Sequence, residues 1–341
     1  MKKLLSLLLC AVLAFGALSF TACGDLDNDA QNENGTVNVK YYNNASDLMP
    51  MLKTGKIDIG LLPEPAATKL ENQLAADKTW YRLDLQELYD EEAKAYPQAV
   101  IMVKESLLAE NPSLADKINE KLLNVSEWLK NNTEAAVTAI NSKLEEGVNP
   151  SLDAKSLTAT VIDNCKIEFK PVFSARDYVK NYISTMIDVQ PEVAAEVNDD
   201  YFYDGTAEGT YDSANVNVFM PDGAPALGMA KFIAEEEKFG FEDKNVKYTV
   251  VSANTIGSKM VQGEGDIIVM PVTAASKLYS AKKYKMIGVL TNGNLYIMST
   301  VKLTVAELKD KTMGVIGQGA VPDVTLKAVL KKHNLGVVVA N

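Results

Sequence analysis

The chain has 341 residues, 47% hydrophobic and 23% charged, with a formal net charge of −11. That balance builds a core and excludes a disordered chain, while the length suits two domains or one large one. With 34 Lys and Arg against 45 Asp and Glu, and no basic block, nothing stands ready to neutralise a phosphate backbone, so a nucleic-acid partner is excluded.

The first segment reads as a leader. Lys2 and Lys3 precede the apolar run "LLSLLLCAVLAFGALSF", the charged and greasy regions of a signal peptide over 1–22. The run is shorter than the ~20 residues a membrane span requires. It ends in Phe20-Thr21-Ala22-Cys23, which resembles a bacterial lipobox with Phe20 where the pattern prefers leucine. Cys23 is then the lipidated N-terminus, anchoring the chain at the outer face of the cytoplasmic membrane. The polar stretch 23–36 buries nothing and reads as a tether. Cys10 leaves with the leader, so Cys165 remains as a single thiol, too few for a disulfide or a metal site and best read as a small buried hydrophobe.

Next come a strand, "VNVKYY" at 37–42, a polar loop, a short helix and the apolar strand "IDIGLLP" at 57–63. Such continuous apolar strands are covered on both faces, as in parallel α/β sheets. Residues 72–97 carry few signals beyond Trp80, Tyr81 and Arg82, 98–190 is mostly helical in pattern, and 191–214 has the acidic, irregular composition of a linker. From 216 the pattern resumes as strand, Gly/Pro loop and an amphipathic helix closed by Gly240. The strands "VKYTVV" at 246–251 and "DIIVMP" at 266–271 follow.

The chain repeats itself. "GKIDIGLLPEPAATKL" at 55–70 and "GEGDIIVMPVTAASKL" at 263–278 share eight of sixteen residues, among them Asp58/Asp266, Pro63/Pro271 and Lys69/Lys277; chance gives about one. At the same offset of 208, Ala45 falls on Ala253. The later copy is preceded by strand–loop–helix, and the matching piece for the early copy stands at the chain's far end. There "MGVIGQGAVPDVTLKAVLKKHNLG" at 313–336 aligns with 217–240 at an offset of 96, Gly319 on Gly223 and Gly336 on Gly240. One unit is therefore contiguous at 216–278, and its twin is split between 313–341 and 37–70. This order implies a circular permutation of a chain that ran 215–341 and then 37–190. Exposed termini tolerate such a change. Whether one chain closes on itself or two exchange halves stays open.

In the restored order, "PDGAPALGMAKF", "GDIIVMPVTAASKLY", "GNLYIM", "LKDKTMGVIGQGAVPDVTLKAVLKKHNL" and "GKIDIGLLPEPAATKL" resemble the periplasmic-type substrate-binding proteins of ABC importers. The similarity is to the group with nitrate-, sulfonate- and thiamine-precursor-binding members. It implies a two-lobed α/β fold of the type II binding-protein kind, each lobe a mostly parallel sheet flanked by helices. Lobe one would hold 98–190 and 215–299, lobe two 37–71 and 304–341, with hinge crossings near 72–97 and 299–304. It implies a small-molecule solute, a permease and an ATPase as partners, and no cofactor or metal. The same two lobes also carry pyrimidine-precursor synthases and menaquinone-pathway enzymes, which are cytoplasmic, and sensor subunits.

Ligands of α/β sheets bind at the carboxyl ends of the strands. The candidates in lobe one are Asp222, Gly223 and Ala224; Ser252, Ala253, Asn254 and Thr255; Pro271, Val272 and Thr273; and Asn292, Asn294 and Tyr296. In lobe two they are Gln318, Gly319 and Ala320, Asn43 and Asn44, and Glu64. Helix N-termini among them favour an anionic or strongly polar group. Ser252, Asn254, Ser46 and Asp47 are equally ordinary capping types. The repeated Asp58 and Asp266 read as structural. With only Arg82 and Arg176 in the chain, a bidentate clamp requires Arg82 to reach the cleft. The lone His333 sits at a helix C-terminus, and no nucleophile elbow, metal spacing or P-loop occurs, so the reading is a binder and not an enzyme.

Overall fold

Residues 35–73 and 79–340 are described by a computed structural model. The leader, Cys23 and the tether up to residue 34 lie outside the described residues, as do five residues of the 72–97 crossing. Among the described residues no helix is long and apolar enough to cross a membrane.

The strands in chain order are β1 (Thr36–Tyr42), β2 (Ile59–Pro63), β3 (Tyr81–Asp84), β4 (Pro97–Lys104), β5 (Lys170–Pro171) and β6 (Asn215–Pro221). They continue as β7 (Asn245–Val251), β8 (Ile267–Pro271), β9 (Tyr284–Asn292), β10 (Leu295–Ser299), β11 (Thr312–Ile316) and β12 (Gly336–Val339). They build two six-stranded sheets within one unit of the chain. Sheet one has the order β5-β9-β4-β8-β6-β7 and sheet two the order β12-β1-β11-β2-β10-β3. The expected α/β class with two helix-flanked sheets is the one observed; sheet two is mostly parallel, and sheet one is mixed, with three antiparallel pairings beside two parallel ones. The doubled apolar strands behave alike: the first four residues of β2 and of β8 are buried, which requires cover on both faces.

The split twin closes. β1, from the start of the chain, lies parallel to β11, from its end, with Val39 opposite Met313 and Tyr42 opposite Ile316. Both ends of a single chain meet in sheet two. The pairing reproduces sheet one residue for residue: Met220 faces Val250 there, and the offsets of 96 and 208 carry that pair onto Ile316 and Tyr42. Setting β12 and β5 aside, the strand orders β7-β6-β8-β4-β9 and β1-β11-β2-β10-β3 correspond position by position. In each, a single antiparallel strand, β4 or β10, sits between the third and last parallel strands, having arrived from the other sheet.

Three expectations are corrected. The second crossing is at Gly293–Asn294, not 299–304, because β10 belongs to sheet two. All five of its residues are buried where it lies between β2 and β3. Gly293 permits the tight passage, since a Cβ there would lie 2.4 Å from the ring of Tyr96. Residues 191–214 are no solvated linker: Tyr201, Phe202, Tyr203 and Tyr211 are buried, and the Tyr203 N–H donates to the Met286 carbonyl at 3.0 Å. Aromatic burial there outweighs an acidic composition. Finally, the helix Ala224–Ala234 ends well before Gly240 and is buried on most sides, including Gly228 against Leu290, so it is a core helix and not an amphipathic one.

The long helix Val172–Val189 joins the halves. It packs on β9 and the helix Val272–Leu278 of sheet one, and on the helix Val321–Lys332 of sheet two. Tyr182 on it stacks on Tyr96 with centroids 5.6 Å apart, and its hydroxyl shares a hydrogen bond with Thr325 Oγ1 at 2.8 Å.

Candidate functional site

The repeat brings the candidate loops to the carboxyl ends of both sheets' parallel strands. After β6, Asp222 accepts from the Gly223 N–H through Oδ1 and from the Ser151 N–H through Oδ2, both at 2.8 Å. Gly223 has φ +102 and open space where a side chain would stand, and Ala224 is buried. After β7, Ala253 and Asn254 are exposed while Ser252 and Thr255 are half-buried. Thr255 Oγ1 donates to the Ser252 carbonyl at 2.9 Å, and no side chain caps the helix that follows. After β8, Pro271 is half-buried whereas Val272 and Thr273 are buried in the first turn of a helix.

In sheet two, Gln318 is exposed and Ala320 half-buried. Gly319 takes φ +72, a conformation suited to glycine, and its N–H donates to Asp323 Oδ2 at 2.8 Å. Asp323 is fully buried and also accepts from the Tyr41 hydroxyl and from Lys327 Nζ, both at 2.9 Å. Asn43 and Asn44 are exposed, and Asn44 caps the helix Ala45–Lys53 by accepting from the Asp47 N–H at 3.0 Å. The cap is therefore Asn44, two residues ahead of Ser46 and three ahead of Asp47.

Glu64 is 1% exposed and is committed inside the protein. Its carboxylate pairs with Arg82 Nη1 at 2.5 Å and accepts from Thr68 Oγ1 at 2.9 Å and the Thr68 N–H at 3.1 Å. The Arg82 guanidinium also binds Glu71 through Nε and Nη2 and lies 5.1 Å from the Tyr296 ring centroid. Arg82 thus has its donors occupied by two carboxylates and a hydroxyl and is no anion clamp.

The two crossings are knit together. The Gly293 N–H donates to the Tyr96 carbonyl at 2.8 Å. Asn292 is held by Tyr178 Oη, at 2.9 Å, and its amide donates to the Glu168 carbonyl at 3.0 Å. Asn294 is 1% exposed, donates to the Glu64 carbonyl at 3.3 Å, and keeps a buried Oδ1 without a partner among the described residues. Gln98 Oε1 and Thr291 Oγ1, beside the same crossing, likewise have no partner among the described residues. Tyr296 is buried; burial, with Asp84 and Glu64 adding to it, pushes its hydroxyl above the ordinary range and keeps it a neutral donor. Burial also raises the Asp84 carboxyl, partly offset by the N–H groups of Glu87 and Gln86. Burial holds the Cys165 thiol protonated, with the Glu64 charge adding to the effect.

Sequence reasoning missed the segment 143–170. Val250 N–H donates to the Lys143 carbonyl at 2.8 Å beside β7, Ser151 meets Asp222 beside β6, and Asn292 N–H donates to the Lys166 carbonyl at 2.9 Å beside β9. It therefore crosses the carboxyl ends of sheet one. Its irregular, Pro- and Gly-containing sequence carried no periodicity that could have placed it. The expected structural part of Asp266 is observed: it is 3% exposed, accepting from Lys104 Nζ at 2.8 Å and the Asn217 N–H at 2.7 Å, whereas its repeat partner Asp58 is exposed. A surface cavity of about 960 Å³ lies elsewhere, along the outer edge of β7, and none of the candidate residues lines it. Among the described residues, no three His, Cys, Asp or Glu converge as a metal ion would need.

No family model matches this sequence, and no curated protein matches it. Solved structures similar to it include NikA from Brucella suis in complex with Fe(III)-EDTA, at 9% identity and a TM-score of 0.31, covering 76% of this chain and 57% of that one. NikA from Staphylococcus aureus in complex with Ni(L-His)2 gives 9% identity and a TM-score of 0.33, covering 79% of this chain and 59% of that one. The oligopeptide-binding protein AppA from Bacillus subtilis, in complex with a nonapeptide, gives 9% identity and a TM-score of 0.29, covering 75% and 54%. The chain spans a little over half the length of these proteins.

Proposed function

We propose that the chain is an extracytoplasmic solute-binding lipoprotein of an ABC importer, holding a small polar organic solute between its two sheets. The observation that carries this reading is the doubled βα unit: two sheets of one strand order and one register, exchanging an antiparallel strand through two crossings. That construction supports a reading in which two families of carboxyl-end loops share a hinge, and a solute touching both loop sets would favour closure. Only contacts made in the closed form can drive that closure.

The chemistry offered is that of amides, hydroxyls and helix ends. Asn43, Asn254 and Gln318 are exposed on these loops, and Arg82 is committed elsewhere. A neutral or zwitterionic polar solute fits this set better than one demanding a bidentate guanidinium. The lipid on Cys23 would hold the protein near a permease, and a partner ATPase would supply the energy of transport. We also infer that the present order of segments arose by circular permutation, which accounts for a register carried across the chain's two ends.

A thermal-shift screen tests the reading with four solute classes: sulfonates, nitrate, pyrimidines and amino acids. A solute at a hundred times its Kd adds about 2.7 kcal/mol of stability, so one class is expected to raise the unfolding temperature by several degrees. One-to-one binding without turnover supports a receptor; chemical conversion of the bound compound refutes it.

A further inference from the structure

The doubled stretch repeats a lysine, Lys69 and Lys277, that neither the fold nor the solute contacts explain. Both have the same kind of partner. Lys69 Nζ, on the helix Ala66–Asn72 of sheet two, donates to the Ser151 carbonyl at 3.4 Å. Lys277 Nζ, on the matching helix of sheet one, donates to the Glu192 carbonyl at 2.6 Å. Neither acceptor belongs to the repeat.

Each accepting segment is tied to the opposite sheet as well. The Ser151 N–H is held by Asp222 of sheet one at 2.8 Å, and the helix bearing Lys69 packs against the turn Ala154–Ser156. In the other segment, Gln190 Oε1 accepts from Lys327 Nζ of sheet two at 2.8 Å and the Asp188 carbonyl from Lys331 Nζ at 3.2 Å. Ser276 of sheet one accepts from the Ala195 N–H at 3.0 Å. Residues 149–157 and 188–195 are thus two straps, each bonded to both sheets. The sheets cannot move apart at these places without one side of each strap letting go.

We propose that Lys69 and Lys277 are paired latches, each pinning one strap, and that their release governs how far the two sheets separate. Duplication supplied the same donor to both halves, and each half uses it on a strap that the other half also holds. A single exposed lysine–carbonyl bond is weak enough to break and re-form, which a latch requires and a core contact does not. The purpose of the latches rests on the proposed solute cleft; their existence is measurable without a solute.

The test uses the full chain and its Lys69→Met, Lys277→Met and doubly substituted forms, with Lys53→Met, an exposed lysine, as control. Hydrogen exchange is read by peptide, and alkylation of Cys165 by mass spectrometry on its own peptide, so that Cys10 and Cys23 do not contribute. Cys165 is buried in the same apolar cluster as Leu152 and Leu157 of the first strap, so it reports on that strap's release. Lys69→Met is expected to speed exchange in 149–157 by roughly two- to tenfold and leave 188–195 unchanged. Lys277→Met is expected to do the converse, and the double form to alkylate Cys165 faster than either single form. Unchanged exchange in a variant's own strap, or an equal rise throughout both sheets, overturns the proposal. No solute enters the measurement, so a failure here leaves the thermal-shift result standing on its own.

Discussion

Gln86 decides how the crossings are held, and its replacement by leucine has a calculable cost. β3 ends at Asp84, opposite Tyr296, so the next ladder position, opposite Leu295, has no strand residue to fill it. The side-chain amide of Gln86 fills it instead: Oε1 accepts from the Leu295 N–H at 2.8 Å and Nε2 donates to the Leu295 carbonyl at 3.1 Å. Oε1 also accepts from the Tyr96 hydroxyl at 3.1 Å. Gln86, Leu295 and Tyr96 are each 1% exposed or less, so water cannot replace the lost partners. Gln86→Leu keeps the volume and strands three buried groups, each costing about 1–3 kcal/mol. Taking the low end for each, the expected loss is about 3 kcal/mol. Urea unfolding followed by fluorescence measures it, with Trp80 in the apolar cluster of sheet two and Trp128 against that of sheet one reporting separately. The Trp80 transition should move first. A loss below about 1 kcal/mol would refute the view that this amide completes the ladder.

Arg82→Met leaves the buried Glu64 without its cation and is expected to cost about 3–5 kcal/mol, whereas Arg82→Met with Glu64→Leu should recover most of it; a chemical-denaturation cycle that finds no recovery counts against the pairing. Gly319→Val should lose about 1–2 kcal/mol from the backbone alone, because φ is positive there, while Gly319→Asn should keep most of that stability. Comparing solute affinity in the asparagine form therefore separates cleft contact from backbone strain. Cys23→Ala should move the protein from the membrane fraction to the soluble fraction on cell fractionation; persistent membrane attachment would sink the lipid anchor. Gly293→Ala drives a Cβ into the Tyr96 ring and should lower the thermal midpoint by an amount worth about 1–3 kcal/mol, and an unchanged midpoint would mean the crossing has slack.

The sequence by itself determined the strands of the doubled unit and that its two ends belong together, whereas β4, inside a stretch read as helical, and β9 were not read from it. Local hydrophobic pattern sets strand type, and a duplicated unit copies the alignment of its strands along with its residues, so once the structure pairs Met220 with Val250 the offsets place Tyr42 opposite Ile316. The strand β10 was harder, because "LYIMS" reads as a strand in either sheet, and the passage that Gly293 permits beside Tyr96 is visible only in three dimensions. Which polar groups are left without an internal partner was decided by tertiary structure alone. Asp222 answers Ser151, Asn292 answers Lys166 and Glu168, and Lys69 answers Ser151, across separations of 71 to 126 residues. No periodicity in the chain encodes such partners. They are chosen by the packing that carries an irregular segment over the ends of a sheet, and by the cost of leaving a buried donor or acceptor unmatched.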